Sequence, residues 1–171
     1  MTRDQPGKSR SIGQNANRYG YGLLDEVNLR LLCELQASPR LTMAALARRV
    51  GMSAPAVTER VQRLEEAGVI AGYRLLVDPA AVGKPLAAFV RIRPAPGKLP
   101  LVAELARQTP EVVECHRITG DDCFLMKVHV AEVGELEEVL DRFLVLGQTN
   151  TAIVQSSPVP GRALPLPAPE A

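Results

Sequence analysis

The stretch that most constrains the fold is Gly51-Met52-Ser53, which lies between two runs of helical periodicity. Upstream, Thr42 precedes a short pattern with Leu46, Ala47 and Val50 on one side. Downstream, Val57, Val61 and Leu64 repeat at three- and four-residue spacing. Glycine lets the chain leave a helix through a left-handed residue, and serine caps the helix that follows. Pro55 falls in the first turn of that helix, where a missing N–H costs nothing. The pair reads as a helix-turn-helix. An earlier helix completes a three-helix unit: Asp25 caps it, Leu24, Val27, Leu31, Leu32 and Leu35 form its apolar stripe, and Pro39 stops it. Gly68 ends the third helix, and residues 69–77 read as extended.

A second pattern occupies residues 84–156. Residues 86–93 alternate as a strand, with Ala88, Val90 and Ile92 on one side and Arg91 and Arg93 on the other. A short helix follows at 99–108, then a strand at 112–119, a tight turn at Gly120-Asp121-Asp122 and a return strand at 123–130. Phe124, Met126, Val128 and Val130 share a face of that return strand. A helix at 133–146 turns Leu136, Val139, Leu140 and Phe143 inward, with glutamates in its first turns and Gly147 at its end. Residues 150–156 form the last strand. The order β-α-β-β-α-β is the ferredoxin-like arrangement, so the chain as a whole is α+β. Two helices on one side of such a sheet leave the other side bare; Ala87, Phe89, Leu125 and Ile153 are expected there, and a second copy would bury them.

These patterns divide the chain into a flexible arm at 1–22, a helix-turn-helix domain at 23–72, a linker strand at 73–84, the ferredoxin-like domain at 85–156 and a proline-rich tail at 157–171. A chain of 171 residues with 46% apolar and 23% charged residues has enough material for real cores. No apolar run approaches the ~18 residues that would cross a bilayer, and the polar N-terminus lacks a secretory segment. Three scattered cysteines make a poor disulfide framework. The expected location is cytoplasmic, with no membrane partner.

The net charge of +1 hides an asymmetry. Residues 1–78 carry +3 and residues 79–171 carry −2. Arg40, Arg48, Arg49, Arg60 and Arg63 fall within one short stretch against the single acid Glu59. Such a zone is either a solvated helical face or a polyanion-binding one. With Val57, Val61 and Leu64 inward, Pro55, Glu59, Gln62 and Glu66 point outward, flanked by Ala56, Thr58 and Arg63. A reading helix enters the major groove by its N-terminal end, which brings Ser53, Pro55, Ala56, Glu59 and Gln62 toward base edges, with Thr58 on the flank of the DNA-binding face. Arg48, Arg49, Arg60 and Arg63 are placed as phosphate clamps. Glu59 either accepts from a cytosine amino group or pairs with Arg63 one turn on.

Taken together, Leu46-Ala47-Arg48-Arg49-Val50-Gly51-Met52-Ser53, Val57-Thr58-Glu59-Arg60-Val61-Gln62-Arg63-Leu64 with Gly68-Val69-Ile70, Glu114-Cys115-His116 and Thr119-Gly120-Asp121 resemble the Lrp/AsnC (feast/famine, leucine-responsive) transcription regulators. The resemblance runs from about residue 23 to 156. It implies a winged helix-turn-helix followed by a RAM-type βαββαβ domain that forms a homodimer and assembles further to a tetramer or octamer. It also implies an amino-acid effector bound between subunits, at Thr119, Gly120, Asp121, Asp122, Thr149 and Thr151. A Gly-Asp turn offers an acceptor for an ammonium and N–H donors for a carboxylate, though an ordinary hairpin turn with Asp121 exposed has the same sequence. Cys123 stands where the family often has a second acid, and the segment before the last strand, 146–151, is shorter than the family's.

The reading is a sequence-specific regulator of double-stranded DNA, nucleoid-associated, that responds to a small effector. It is not an enzyme and uses no cofactor or metal. Two alternatives stand beside it: an architectural chromosome-associated protein without effector, and a ferredoxin-like enzyme or ligand carrier. The last lacks an acid-base cluster. His116 and His129 are expected on opposite faces of their hairpin, and the cysteines as small buried residues.

Overall fold

The computed structural model describes residues 23–167, so the arm expected at 1–22 and the last residues of the tail lie outside them. The described chain forms two compact units, one running to Arg74 and including residues 161–167, the other spanning Leu75–Pro160.

In the first unit, α1 spans Glu26–Ala37, α2 Met43–Val50 and α3 Ala54–Glu66. Each begins on a side-chain cap: Asp25 accepts from the Asn28 amide, Thr42 from Ala45 and Ser53 from Ala56. Gly51 leaves α2 at φ 71°, a conformation other residues adopt only with strain. Leu31, Leu35, Leu46, Ala47, Val50, Val57 and Val61 form one core. Leu24, expected in the α1 stripe, is exposed, and Val27 is half-buried against that core. The extended segment expected after α3 pairs with no strand among the described residues; residues 71–78 are exposed. The linker strand expected at 73–84 is replaced by irregular chain and a single 3-10 turn at Ala80–Val82. Pro79 and Gly83 bracket that turn, and neither residue suits a strand interior.

The second unit contains β1 (Leu86–Pro94), α4 (Leu99–Gln108), β2 (Val112–Arg117), β3 (Phe124–Val130), α5 (Val133–Leu144) and β4 (Gly147–Ile153). The sheet order is β2-β3-β1-β4, antiparallel throughout. Ala88, Val90, Ile92, Phe124, Met126, Val128 and Val130 face the helices and bury against Val102, Ala106, Leu136, Val139 and Phe143. Glu135 supplies the acceptor at the start of α5. Its Oε2 takes the Ala131 amide at 2.7 Å and its Oε1 pairs with Lys84, and both interactions hold its carboxyl below the usual range.

Several sequence expectations change here. The last helix stops at Leu144, not 146, and β4 begins at Gly147 rather than 150. Gly147 opens the strand instead of closing the helix because it sits directly opposite Pro94, where a β-carbon would strike the backbone. Ile153 pairs with Ala88 and so shares its helix-facing side, not the bare side. His116 pairs with Leu125 and His129 with Ala87, which puts both histidines on the bare face. The hairpin couples residues whose numbers add to an odd sum, so an even and an odd residue share a side. Cys33 and Cys115 are exposed, and only Cys123 is partly buried.

Candidate functional site

Helix α3 displays the face that its periodicity dictates. Pro55, Glu59, Gln62 and Arg63 are exposed, Ala56 and Thr58 half-exposed, and Val57, Val61 and Leu64 buried. Ser53 begins the helix and is itself exposed. The Thr58 hydroxyl donates to the Ala54 carbonyl at 2.9 Å, so its methyl group faces away from that bond. Glu59 pairs with Arg63 along the helix, the commoner of its two expected uses.

The four arginines expected at phosphates differ in what holds them. Arg48 is exposed and makes no ion pair among the described residues. Arg49 reaches Glu34 of α1 at 2.6 Å, and both side chains remain substantially in solvent. Arg63 is exposed on α3. Arg60 turns inward: its Nη1 donates to Asp25 Oδ2 at 2.7 Å and to Asn28 Oδ1 at 3.0 Å. Partial burial pushes the Asp25 carboxyl up, but the Arg60 hydrogen bond, the Asn28 amide, the Arg60 charge and the Val27 amide together hold it below the usual carboxylate value. Helical spacing sets Arg60 beside the buried stripe of α3 but cannot reveal a partner 35 residues away.

In the second unit a shallow open cleft of about 330 Å³ lies at one end of the sheet. It is lined by Arg91 and Arg93 of β1, Gln148, Thr149 and Asn150 of β4, and Asp122 of the β2–β3 turn. Arg93 lies 3.2 Å from Asp121 and 3.9 Å from Asp122. Of the six effector residues expected, Asp122 and Thr149 line this cleft and Asp121 touches its rim through Arg93. Thr119 and Gly120 stay in the turn outside it, and Thr151 sits farther along β4 opposite Val90. The cleft's cations and amides were missed. The alternation of Arg91 and Arg93 on β1 was the available signal; their meeting with Gln148 and Asn150 depends on strand register. Cys123 is half-buried against the second core and its amide donates to the Ile92 carbonyl. It contributes no acid to the cleft. Two guanidiniums and side-chain amides offer donors to a ligand's carboxylate, and the Asp122 carboxylate offers an acceptor to its ammonium.

A three-helix head whose exposed third helix begins on a side-chain cap is joined in one chain to a ferredoxin-like domain. Two family models match the two regions: winged helix-turn-helix DNA-binding over residues 24–71, and Lrp/AsnC ligand binding domain over residues 87–164. A Bacillus subtilis protein described as HTH-type transcriptional regulator YezC is 37% identical over 134 residues, which is 78% of this chain and 95% of that protein. The structure of B. subtilis LrpC superposes with a TM-score of 0.76 at 29% identity, covering 81% of this chain and 99% of that one. A feast or famine regulatory protein from Mycobacterium tuberculosis, solved with L-methionine, superposes with a TM-score of 0.75 at 35% identity, covering 84% and 99%. The chain belongs to the Lrp/AsnC family of transcription regulators. Among the described residues no helix is long and apolar enough to cross a membrane.

Proposed function

We propose that this chain is a sequence-specific regulator whose α3 reads the DNA major groove and whose C-terminal domain senses an amino acid. The observation that carries the reading is the outer face of α3, where Pro55, Ala56, Glu59, Gln62 and Arg63 stand on the side away from the buried Val57, Val61 and Leu64. Arg48, Arg49 and Arg63 hold phosphates; Ser53, Pro55, Ala56, Thr58, Glu59 and Gln62 face base edges. The amino acid sits at the Arg93–Asp122 end of the sheet, its carboxylate on the guanidiniums and its ammonium on the turn acids. The relative solved with L-methionine supports that ligand class. Two copies meet through the bare sheet face, where Phe89 is 41% exposed, and so present two reading helices at a set spacing.

The experiment is an electrophoretic shift on the duplex upstream of the protein's own coding region against a shuffled duplex, with calorimetry of the twenty amino acids with and without DNA. Retardation of the upstream duplex alone, altered by one amino acid, supports the proposal. Equal retardation of both duplexes with no heat from any amino acid contradicts it and favours an architectural role.

A further inference from the structure

We propose that Arg60 is a positioning residue that locks the reading helix to the first helix of its own domain and reaches no phosphate. The inference rests on α3 being the reading helix. Asp25 divides its two oxygens: Oδ1 takes the Asn28 amide at 2.7 Å and caps α1, while Oδ2 takes Arg60 at 2.7 Å. Asn28 is 5% exposed and bonded at both ends of its amide, its Oδ1 accepting from Arg60 and its Nδ2 donating to the Leu23 carbonyl at 2.9 Å. Flipping that amide would set its NH2 against a guanidinium and its oxygen against a carbonyl, so its orientation is determined by its partners. Pulling Arg60 away toward a phosphate would leave the buried Asn28 oxygen unpaired, which is costly.

Position explains what the lock does. Arg60 lies midway along α3, on the flank between the buried stripe and the reading face. Hydrophobic contacts of Val57, Val61 and Leu64 choose which side of α3 faces the core, but they are non-directional and tolerate rotation. Two hydrogen bonds from one guanidinium to two fixed oxygens set the rotation about the helix axis. A hollow of about 310 Å³ beside this network is also lined by Ala56, Glu59 and Arg63, so the lock lies directly beside residues of the reading face. A small rotation there would move base-contacting groups off their partners.

The test uses the full chain and Asp25→Asn. Asparagine caps a helix as well as aspartate, so the start of α1 survives and only the ion pair is lost. Affinities for the upstream duplex and a shuffled duplex are measured across a salt series. A positioning role predicts that the upstream duplex is bound roughly three- to tenfold more weakly while the shuffled duplex is bound no more weakly. Arg60→Lys, which keeps the charge on a shorter side chain that does not carry its ammonium to the Nη1 position, gives the same loss, and the double variant is no worse than either single one. A phosphate clamp predicts the opposite signs: Asp25→Asn tightens both duplexes, Arg60→Lys resembles the parent, and Arg60→Ala lowers both affinities with a salt slope reduced by about one. Those results would overturn the inference. A separate readout needs no variant and no sequence discrimination. In side-chain NMR of the parent protein, the Arg60 guanidinium signal stays in place on adding DNA while that of Arg48 or Arg63 moves; an Arg60 signal that moves with them refutes the lock. Failure of the parent to discriminate the two duplexes, with the Arg60 signal unmoved, instead counts against the reading helix and leaves the lock supported.

Discussion

Gly147 and Pro94 face each other at the end of the β1–β4 ladder so closely that a β-carbon on Gly147 would lie 2.8 Å from the Pro94 Cα and collide with the Arg93 carbonyl oxygen. The glycine is therefore required by the approach of another strand, not by its own turn. Replacing it with alanine should destabilise the C-terminal domain by about 1–3 kcal/mol, because the atoms it meets are backbone and cannot swing aside. Urea unfolding of the variant beside the parent measures this. An unchanged midpoint would mean that β1 and β4 separate there at little cost.

Phosphate and base contacts should part company on α3. Arg63→Ala is expected to weaken binding to every duplex and to lower the salt slope by about one. Its exposed pairing with Glu59 offsets little of this. Gln62→Ala should leave binding to shuffled DNA alone and change which sequences are preferred. Selection from a randomised duplex pool, read for parent and variant, distinguishes the two.

Acid should loosen the first unit through Asp25. Its folded carboxyl titrates below the ordinary aspartate value. The stability it contributes is thus fully present above that value and is lost as pH falls through the lower, folded one. The side chain is 42% exposed, which limits the effect to at most about 1 kcal/mol. Denaturant midpoints between about pH 5 and pH 2 should fall more steeply for the parent than for Asp25→Asn. Identical slopes would show that the pair adds nothing.

Ligand binding at the sheet end should depend on Arg93. It lies 3.2 Å from Asp121 and 3.9 Å from Asp122 and lines the cleft beside Gln148 and Thr149. Arg93→Ala should weaken amino-acid binding by roughly tenfold or more, as expected when a charged hydrogen-bond partner is lost. Isothermal calorimetry with the amino acid that binds the parent is the check. Unaltered affinity would place the ligand elsewhere.

Much of the fold was legible because its signals are local. Asp25, Thr42 and Ser53 cap helices within three residues of themselves, and the stripes Val57-Val61-Leu64 and Phe124-Met126-Val128-Val130 bury on the sides their periods dictate. The outward face of α3 followed from the same arithmetic. What was hidden depends on contacts distant in sequence. Arg60 looked like its neighbours until Asp25 and Asn28 were brought beside it. The cleft at the sheet end was half-visible for a related reason: Asp122 and Thr149 stood out, while Arg91, Arg93, Gln148 and Asn150 join them only through the β1–β4 register. The side occupied by Ile153 required that same register.

The most direct test of the account is a binding titration of the full chain against its own upstream duplex and a shuffled one, with parent, Gln62→Ala and Arg63→Ala compared across a salt series. The account predicts tighter binding of the upstream duplex by the parent, a changed preference in Gln62→Ala, and a uniform loss with a shallower salt slope in Arg63→Ala. Equal affinity for the two duplexes, or variants that bind as the parent does, would contradict it.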